Sequence, residues 1–140
     1  DGRYDLYFAT QVGGNQLWRN VGDARFEDYT TPSLELADRI GVSASFGDID
    51  NDGENELITG KRYYAHSGRD AGSHDDVSIQ YYDWKPDTSS WVKNLISSAP
   101  TGEGPGIGLQ INVQDLDGNG WKDLVLPGKS GTHIIWNEGK

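Results

Sequence analysis

The stretch Asp48-Ile-Asp50-Asn-Asp52-Gly53-Glu54-Asn-Glu56-Leu57 recurs as Asp115-Leu-Asp117-Gly-Asn119-Gly120-Trp121-Lys-Asp123-Leu124. Its second half also stands at the start of the chain, as Asp1-Gly2-Arg-Tyr-Asp5-Leu6. Oxygen-bearing side chains fall at positions one, three and five. A glycine follows at six, and an acid at nine opens an apolar run. Alternate oxygen donors before a sharp turn form the donor set that a hard cation such as calcium requires. The glycine lets the chain bend back through positive φ. The acid at nine then reaches back from the first residue of the next strand, and the backbone carbonyls of Glu54 and Trp121 are expected to complete the two sets.

Charge follows the same pattern. The chain of 140 residues carries a net charge of −10, and much of it is local. Asp48, Asp50, Asp52, Glu54 and Glu56 form one cluster, and Asp115, Asp117 and Asp123 form a second. Such clusters repel themselves unless a cation neutralises them. A solvated acidic turn explains one cluster but not a repeated spacing. The acidity argues against nucleic acid, whose phosphates it would repel, and against anionic membrane surfaces. No apolar run approaches the ~20 residues of a membrane span. There are no cysteines or methionines, so no disulfide framework reports on the compartment. The missing methionine points to a processed chain or a segment of something longer, and the different flavours of repeat in residues 1–47 and 48–140 fit a recombined or engineered joining of blades. No signal peptide is visible. Extracellular or periplasmic placement is expected from the loops, because millimolar calcium is available there.

The loop also marks out a repeat. After each copy comes a short apolar strand, at Leu6, Leu57 and Leu124, and then a glycine-containing turn and a second strand. The second strands are Gln16 to Asn20, Val77 to Trp84 and Thr132 to Asn137. Their alternation is that of half-buried β-strands. A third strand follows twice, at Arg25 to Thr30 and Trp91 to Ile96. A lead-in strand precedes each complete loop, at Gly41 to Phe46 and Gly108 to Val113. The expected fold is therefore all-β, built of four-stranded antiparallel β-propeller blades. It is one segment comprising a partial blade (1–31), a complete blade (41–98) and a partial blade (106–140). That makes ten strands, about two and a half blades: a partial propeller, or a ring completed by further blades or by a second copy of the chain. Open sheet edges would invite such pairing. Residues 32–39 are expected to form one helical turn capped by Ser33. Trp18 and Trp136, each near an asparagine, suit a repeated packing role.

At these residues the chain resembles FG-GAP/VCBS-type repeats, the calcium-loop blades of integrin α-subunit propellers and of many bacterial secreted proteins. Phe46-Gly47-Asp48-Ile-Asp50-Asn-Asp52-Gly53 is similar to the family's Phe-Gly lead into an Asp-x-Asp-x-Asp-Gly loop, and Asp115 to Leu124 is similar to its loop and following strand. The resemblance implies propeller blades, with calcium held by Asp48, Asp50, Asp52, Glu54 and Glu56, and by Asp115, Asp117, Asn119, Trp121 and Asp123. Glu56 stands where the family usually has Asp, and Asn119 is a neutral donor. The first loop lacks positions one and three, so Asp1 and Asp5 alone should not hold a metal.

An EF-hand would need a bidentate acid at loop position twelve. Thr59 and Leu126 stand there instead. The insertion after the second copy gathers titratable and aromatic residues: Lys61, Arg62, Tyr64, His66, Asp70 and His74. Loops borne by a rigid sheet often carry function. The insertion is therefore a candidate ligand site, and a carbohydrate-binding or carbohydrate-active propeller is the alternative function. No nucleophile and base can be assigned, which favours a solvated loop and a binding or scaffold module over an enzyme. Gly102 to Gly108 lacks the Gly-Lys-Ser/Thr ending of a phosphate loop and is expected to cross between blades. The partners expected are calcium ions, other blades or a second copy, and a protein or carbohydrate ligand.

Overall fold

The computed structural model describes residues 2–10, 14–35, 41–69 and 72–139, with the backbone alone for residues 35, 41, 42, 65 and 66. Among the described residues the fold is all-β apart from one four-residue helix and a 3-10 turn. Among the described residues ten strands form three open antiparallel sheets. The first holds β1 (Leu6–Phe8), β2 (Gln16–Gly22) and β3 (Arg25–Asp28) in that order. The second is a four-stranded meander of β4 (Gly41–Gly47), β5 (Glu56–Lys61), β6 (Val77–Lys85) and β7 (Ser90–Ala99). The third holds β8 (Asn112–Gln114), β9 (Asp123–Gly128) and β10 (Gly131–Ile135). The order within each sheet follows the chain, as short turns between antiparallel strands require.

Burial explains which strands are central. All six residues of β5 are buried, so both of its faces are covered and its side chains need not alternate in polarity. At β1 the outer residues Leu6 and Phe8 are exposed, while Tyr7 between them faces the neighbouring sheet. The register places Leu57 of β5 opposite Tyr82, Leu6 opposite Trp18 and Leu124 opposite Ile135. These three pairs are equivalent, because each leucine follows the acid at loop position nine. They correct one expectation: Trp136 lies one residue beyond the equivalent of Trp18, and it is half exposed rather than packed as core.

Two cores join the three sheets. Between the first and second lie Leu17, Leu34, Leu57 and Tyr82, with Tyr7 and Trp91 packed against them. Tyr29, Trp84 and Trp91 extend this seam as tilted ring pairs 5.3 and 5.4 Å apart, a spacing at which aromatic edges and faces attract. Between the second and third lie Ile49, Ile58, Ile79, Ile107, Ile111, Leu124 and Leu126. The glycine-rich segment crosses between these two sheets, as expected. Ile107 donates its N–H to the Lys61 carbonyl at 3.3 Å, and a Cβ on Gly108 would lie 2.0 Å from the Pro127 carbonyl oxygen. Only glycine allows that approach.

The helix α1 (Pro32–Glu35) forms where a turn was expected, but Ser33 does not cap it. Thr31 occupies the preceding position and its carbonyl accepts from Leu34 N–H at 2.9 Å. Ser33 instead donates its hydroxyl to the Trp91 carbonyl at 2.9 Å, tying the helix to β7. Residues 36–39 of the expected turn lie outside the described residues. No helix among the described residues is long and apolar enough to cross a membrane.

Candidate metal centre

Both acidic loops are hairpin connections, one between β4 and β5 and one between β8 and β9. Each starts just past a strand pair at the same register, Gly47 opposite Glu56 and Gln114 opposite Asp123. Gly53 and Gly120 have the same φ of 92°, and a Cβ added at either would meet nothing within 4 Å. The backbone angle, not space, therefore demands glycine there.

The first aspartate of each loop closes the turn. Asp48 accepts from Asp52 N–H at 3.1 Å and Gly53 N–H at 3.2 Å. Asp115 accepts from Gly118 N–H at 2.8 Å and Gly120 N–H at 2.9 Å. Positions three and five each accept from the N–H two residues on: Asp50 from Asp52 and Asp52 from Glu54, then Asp117 from Asn119 and Asn119 from Trp121. These short side-chain turns hold the loop around its oxygen atoms.

The acid at nine is the buried member of each set. Glu56 is 2% exposed and accepts from Ile49 N–H at 2.8 Å. Asp123 is fully buried, accepting from Leu116 N–H and from Asn137 N–H, each at 2.9 Å. Burial pushes the Glu56 carboxyl up to about 7, against the pull of the Ile49 N–H, and the charges of Asp50, Asp52 and Asp48 add to the rise. A buried carboxylate among three others is a costly charge unless a cation shares the space.

The structure gathers Asp48, Asp50 and Glu56 in one loop, and Asp115, Asp117 and Asp123 in the other. In each triad one oxygen per residue lies within 4.8 Å of the others. Oxygens on opposite sides of a calcium ion stand about 5 Å apart, twice the ~2.4 Å bond. The donor set is hard, anionic and of the right span for one divalent cation. Asp52, at position five, stands outside the first carboxylate triad; it and Asn119 hold the turns through the N–H groups of Glu54 and Trp121.

Sequence reasoning missed that the two loops touch. Asn51 donates its side-chain amide to the Gly120 carbonyl at 3.0 Å. Asn137 donates to the Ile49 carbonyl at 2.7 Å and to the Lys122 carbonyl at 3.2 Å, while its own side-chain oxygen accepts from Gly139 N–H. Asn119 adds a bond to the Asn137 carbonyl at 3.0 Å. The signal was present in the recurrence of asparagine at 20 and 137. Asn20 N–H bonds to Asp5 at 2.8 Å just as Asn137 N–H bonds to Asp123. Asp1, the other acid of the first half-loop, lies outside the described residues.

The insertion is tied into the fold. Lys61 is buried at the end of β5, and its ammonium donates to the Asp75 carbonyl at 2.5 Å. Tyr64 packs against Tyr63 and edge-on against His74, with centroids 5.8 and 5.5 Å apart. Its carbonyl accepts from Lys129 at 2.9 Å. A Cβ on Gly68 would lie 2.9 Å from His74 Nε2, so that ring fills the turn. Arg62 follows Lys61 just past β5, and His66 lies in the 3-10 turn Ala65–Gly68. Asp70 lies outside the described residues. Lys61, Tyr64 and His74 are thus each held by contacts within the fold.

Residues 1–59 match the family model of the FG-GAP-like repeat. The matched stretch takes in the first sheet and the whole of the first complete loop, in agreement with the resemblance carried by the loop motif and with a β-propeller-like module. No curated protein and no solved structure matches the chain.

Proposed function

We propose that the chain is a calcium-stabilised segment of a β-propeller, acting as a binding or scaffold module outside the cytoplasm. The observation that carries this reading is the twofold occurrence of one geometry. Each loop gathers three carboxylates within 4.8 Å, with the acid of the following strand buried. In this reading the three sheets are two partial blades flanking a complete one. Asp48, Asp50 and Glu56 hold one ion, and Asp115, Asp117 and Asp123 the other. Each ion neutralises its cluster and fastens a lead-in strand to its successor. The packed insertion leaves the scaffold role ahead of a carbohydrate site.

Thermal unfolding with and without calcium tests the reading. Ligand at a hundred times its dissociation constant stabilises by about 2.7 kcal/mol per site. Two sites are expected to raise the Tm by roughly 10 °C or more in a domain of this size. The pH response should also differ. In chelator, Glu56 folds with its carboxyl raised to about 7 from an ordinary 4.5. The folded state then holds a proton that the unfolded state has lost, so stability falls as pH rises from about 4.5 through 7. The fall is on the order of 3 kcal/mol. Calcium displaces that proton, and the fall should disappear in its presence. A melting curve indifferent to chelator at every pH would sink the proposal.

A further inference from the structure

We propose that Asn119 is a site of self-modification: in the folded loop the Gly120 nitrogen attacks its side-chain amide, ammonia leaves, and water opens the resulting imide to a carboxylate. The argument rests on the sequence and hydrogen bonds of the second loop and not on the metal reading.

Asn119-Gly120 is the one Asn-Gly pair in the 140 residues. The pair matters because the attacking atom is the nitrogen of the following residue, and glycine puts no Cβ beside it. The space there is open, since a Cβ on Gly120 would meet nothing within 4 Å. Both residues are exposed, so water reaches them.

The loop's bonds favour the attack. The Asn119 side-chain oxygen accepts from Trp121 N–H at 2.7 Å. That bond curls the amide carbon back over Gly120, the residue between them. It also places a donor where negative charge grows on the oxygen during attack. Gly120 N–H itself donates to the Asp115 carboxylate at 2.9 Å. Asp115 is thus placed to take the proton as the nitrogen closes on the amide.

The steps balance without any oxidant or cofactor. The Gly120 nitrogen bonds to Cγ of Asn119 and gives its proton to Asp115. The adduct then breaks its bond from Cγ to Nδ2, and that nitrogen takes the proton back and leaves as ammonia. Water adds to the cyclic imide. Cleavage between Cγ and the Gly120 nitrogen gives aspartate, and cleavage of the backbone carbonyl from that nitrogen gives isoaspartate. Either product exchanges a neutral amide for a carboxylate.

The first loop is the internal contrast. Asp52 accepts from Glu54 N–H at 2.8 Å and Gly53 N–H goes to Asp48 at 3.2 Å, the same arrangement. Its side chain is already a carboxylate, whose charge repels a nucleophile. The aspartate product therefore gives the second loop the position-five acid of the first. That this adds an anionic donor for calcium rests on the function proposed above. A second consequence does not. The Asn119 amide donates to the Asn137 carbonyl at 3.0 Å and to Asp117 at 3.3 Å. A carboxylate can donate to neither, so both products lose the tie between the loop and the segment beyond β10.

The test incubates the chelator-stripped chain at neutral pH, folded and in guanidinium, with peptide mapping by mass spectrometry. Asn119 should convert several-fold faster in the folded chain than in the unfolded one. Asp115→Asn should slow the folded chain several-fold and leave the unfolded rate unchanged. The acidic species, separated by ion exchange, should melt below the intact chain in chelator. A folded chain that keeps Asn119 intact while the unfolded chain converts would overturn the proposal. So would a folded rate indifferent to Asp115→Asn in a variant that circular dichroism shows to be folded. The comparison of folded with unfolded wild type needs no variant. Because conversion is read by mass in the absence of metal, its failure and the failure of the calcium reading are separate results.

Discussion

Asp123→Ala is expected to destabilise the chain by about 3 kcal/mol even in chelator, and by more in calcium. The carboxylate is fully buried and takes two backbone N–H groups, from Leu116 and Asn137. Alanine leaves both donors without their acceptor, at about 1–3 kcal/mol for each buried group. Relief of repulsion from Asp115 and Asp117 offsets part of that loss in the metal-free protein. In calcium the relief vanishes, because the ion already neutralises the cluster, and one ligand of the triad is gone as well. The penalty should therefore be larger with calcium than without. Asp123→Asn keeps an oxygen for one of the two donors and should fall between wild type and alanine. Asp52→Ala is the contrast, since its carboxylate serves an exposed turn through Glu54 N–H and should cost under about 1 kcal/mol in chelator. Denaturant unfolding of the four proteins, with and without calcium, measures the pattern. A calcium-independent penalty at Asp123 would confine it to a structural role.

Asn137→Ala should loosen both loops at once. Its side chain makes three hydrogen bonds, two donated and one accepted, and the bond to Ile49 spans from the third unit to the loop of the second. Bonds of this kind contribute about 0.5–1.5 kcal/mol each, so a loss of roughly 2–3 kcal/mol is expected. The more telling effect concerns the first complete loop, which Asn137 neither belongs to nor adjoins in sequence. Ile49 stands between Asp48 and Asp50, and its N–H is held by Glu56. Releasing its carbonyl frees the segment that positions three of the acids. Calcium affinity of that loop should fall several-fold although all its acids remain. Asn51→Ala removes the other cross-loop side-chain bond, to the Gly120 carbonyl. It should produce a smaller loss in the same direction, because that bond is solvent-exposed. Unchanged affinity at the first loop in Asn137→Ala would mean that the loops act independently.

Most strands were legible because they alternate, and the continuously buried β5 because a loop of its own punctuates its start. The ten described strands fall in sheets of three, four and three, the grouping expected from the loop repeat together with the apolar strands read between its copies. The triads were legible for the same reason, with Asp48, Asp50, Glu56, Asp115, Asp117 and Asp123 all named by spacing. What spacing could not show was contact between units. Nothing local in Asn51 or Asn137 says that its amide ends on a carbonyl many residues away. The slip between Trp18 and Trp136 has a similar origin. Both follow apolar strands, but only the pairing of Leu6 with Trp18 and of Leu124 with Ile135 reveals that the two tryptophans are out of register. Composition alone did not show how the insertion is held. Its lysine, tyrosine and histidine are chemically versatile, yet Lys61 and Tyr64 anchor to or accept from backbone groups and neighbouring side chains, and His74 packs into the space beside Gly68. In the middle unit Trp84 occupies the strand position that asparagine holds in its neighbours, so an aromatic stack with Tyr29 seals the junction that a polar clasp seals elsewhere.

The central claim is that the two triads each hold one calcium ion. Calorimetric titration of calcium into chelator-stripped protein tests it most directly, with Asp48→Ala and Asp115→Ala titrated alongside. The account predicts two ions per chain for the wild type, one for each variant, and proton release on binding near neutral pH as Glu56 gives up its proton. Absence of binding at millimolar calcium, or binding that both variants retain in full, would contradict it.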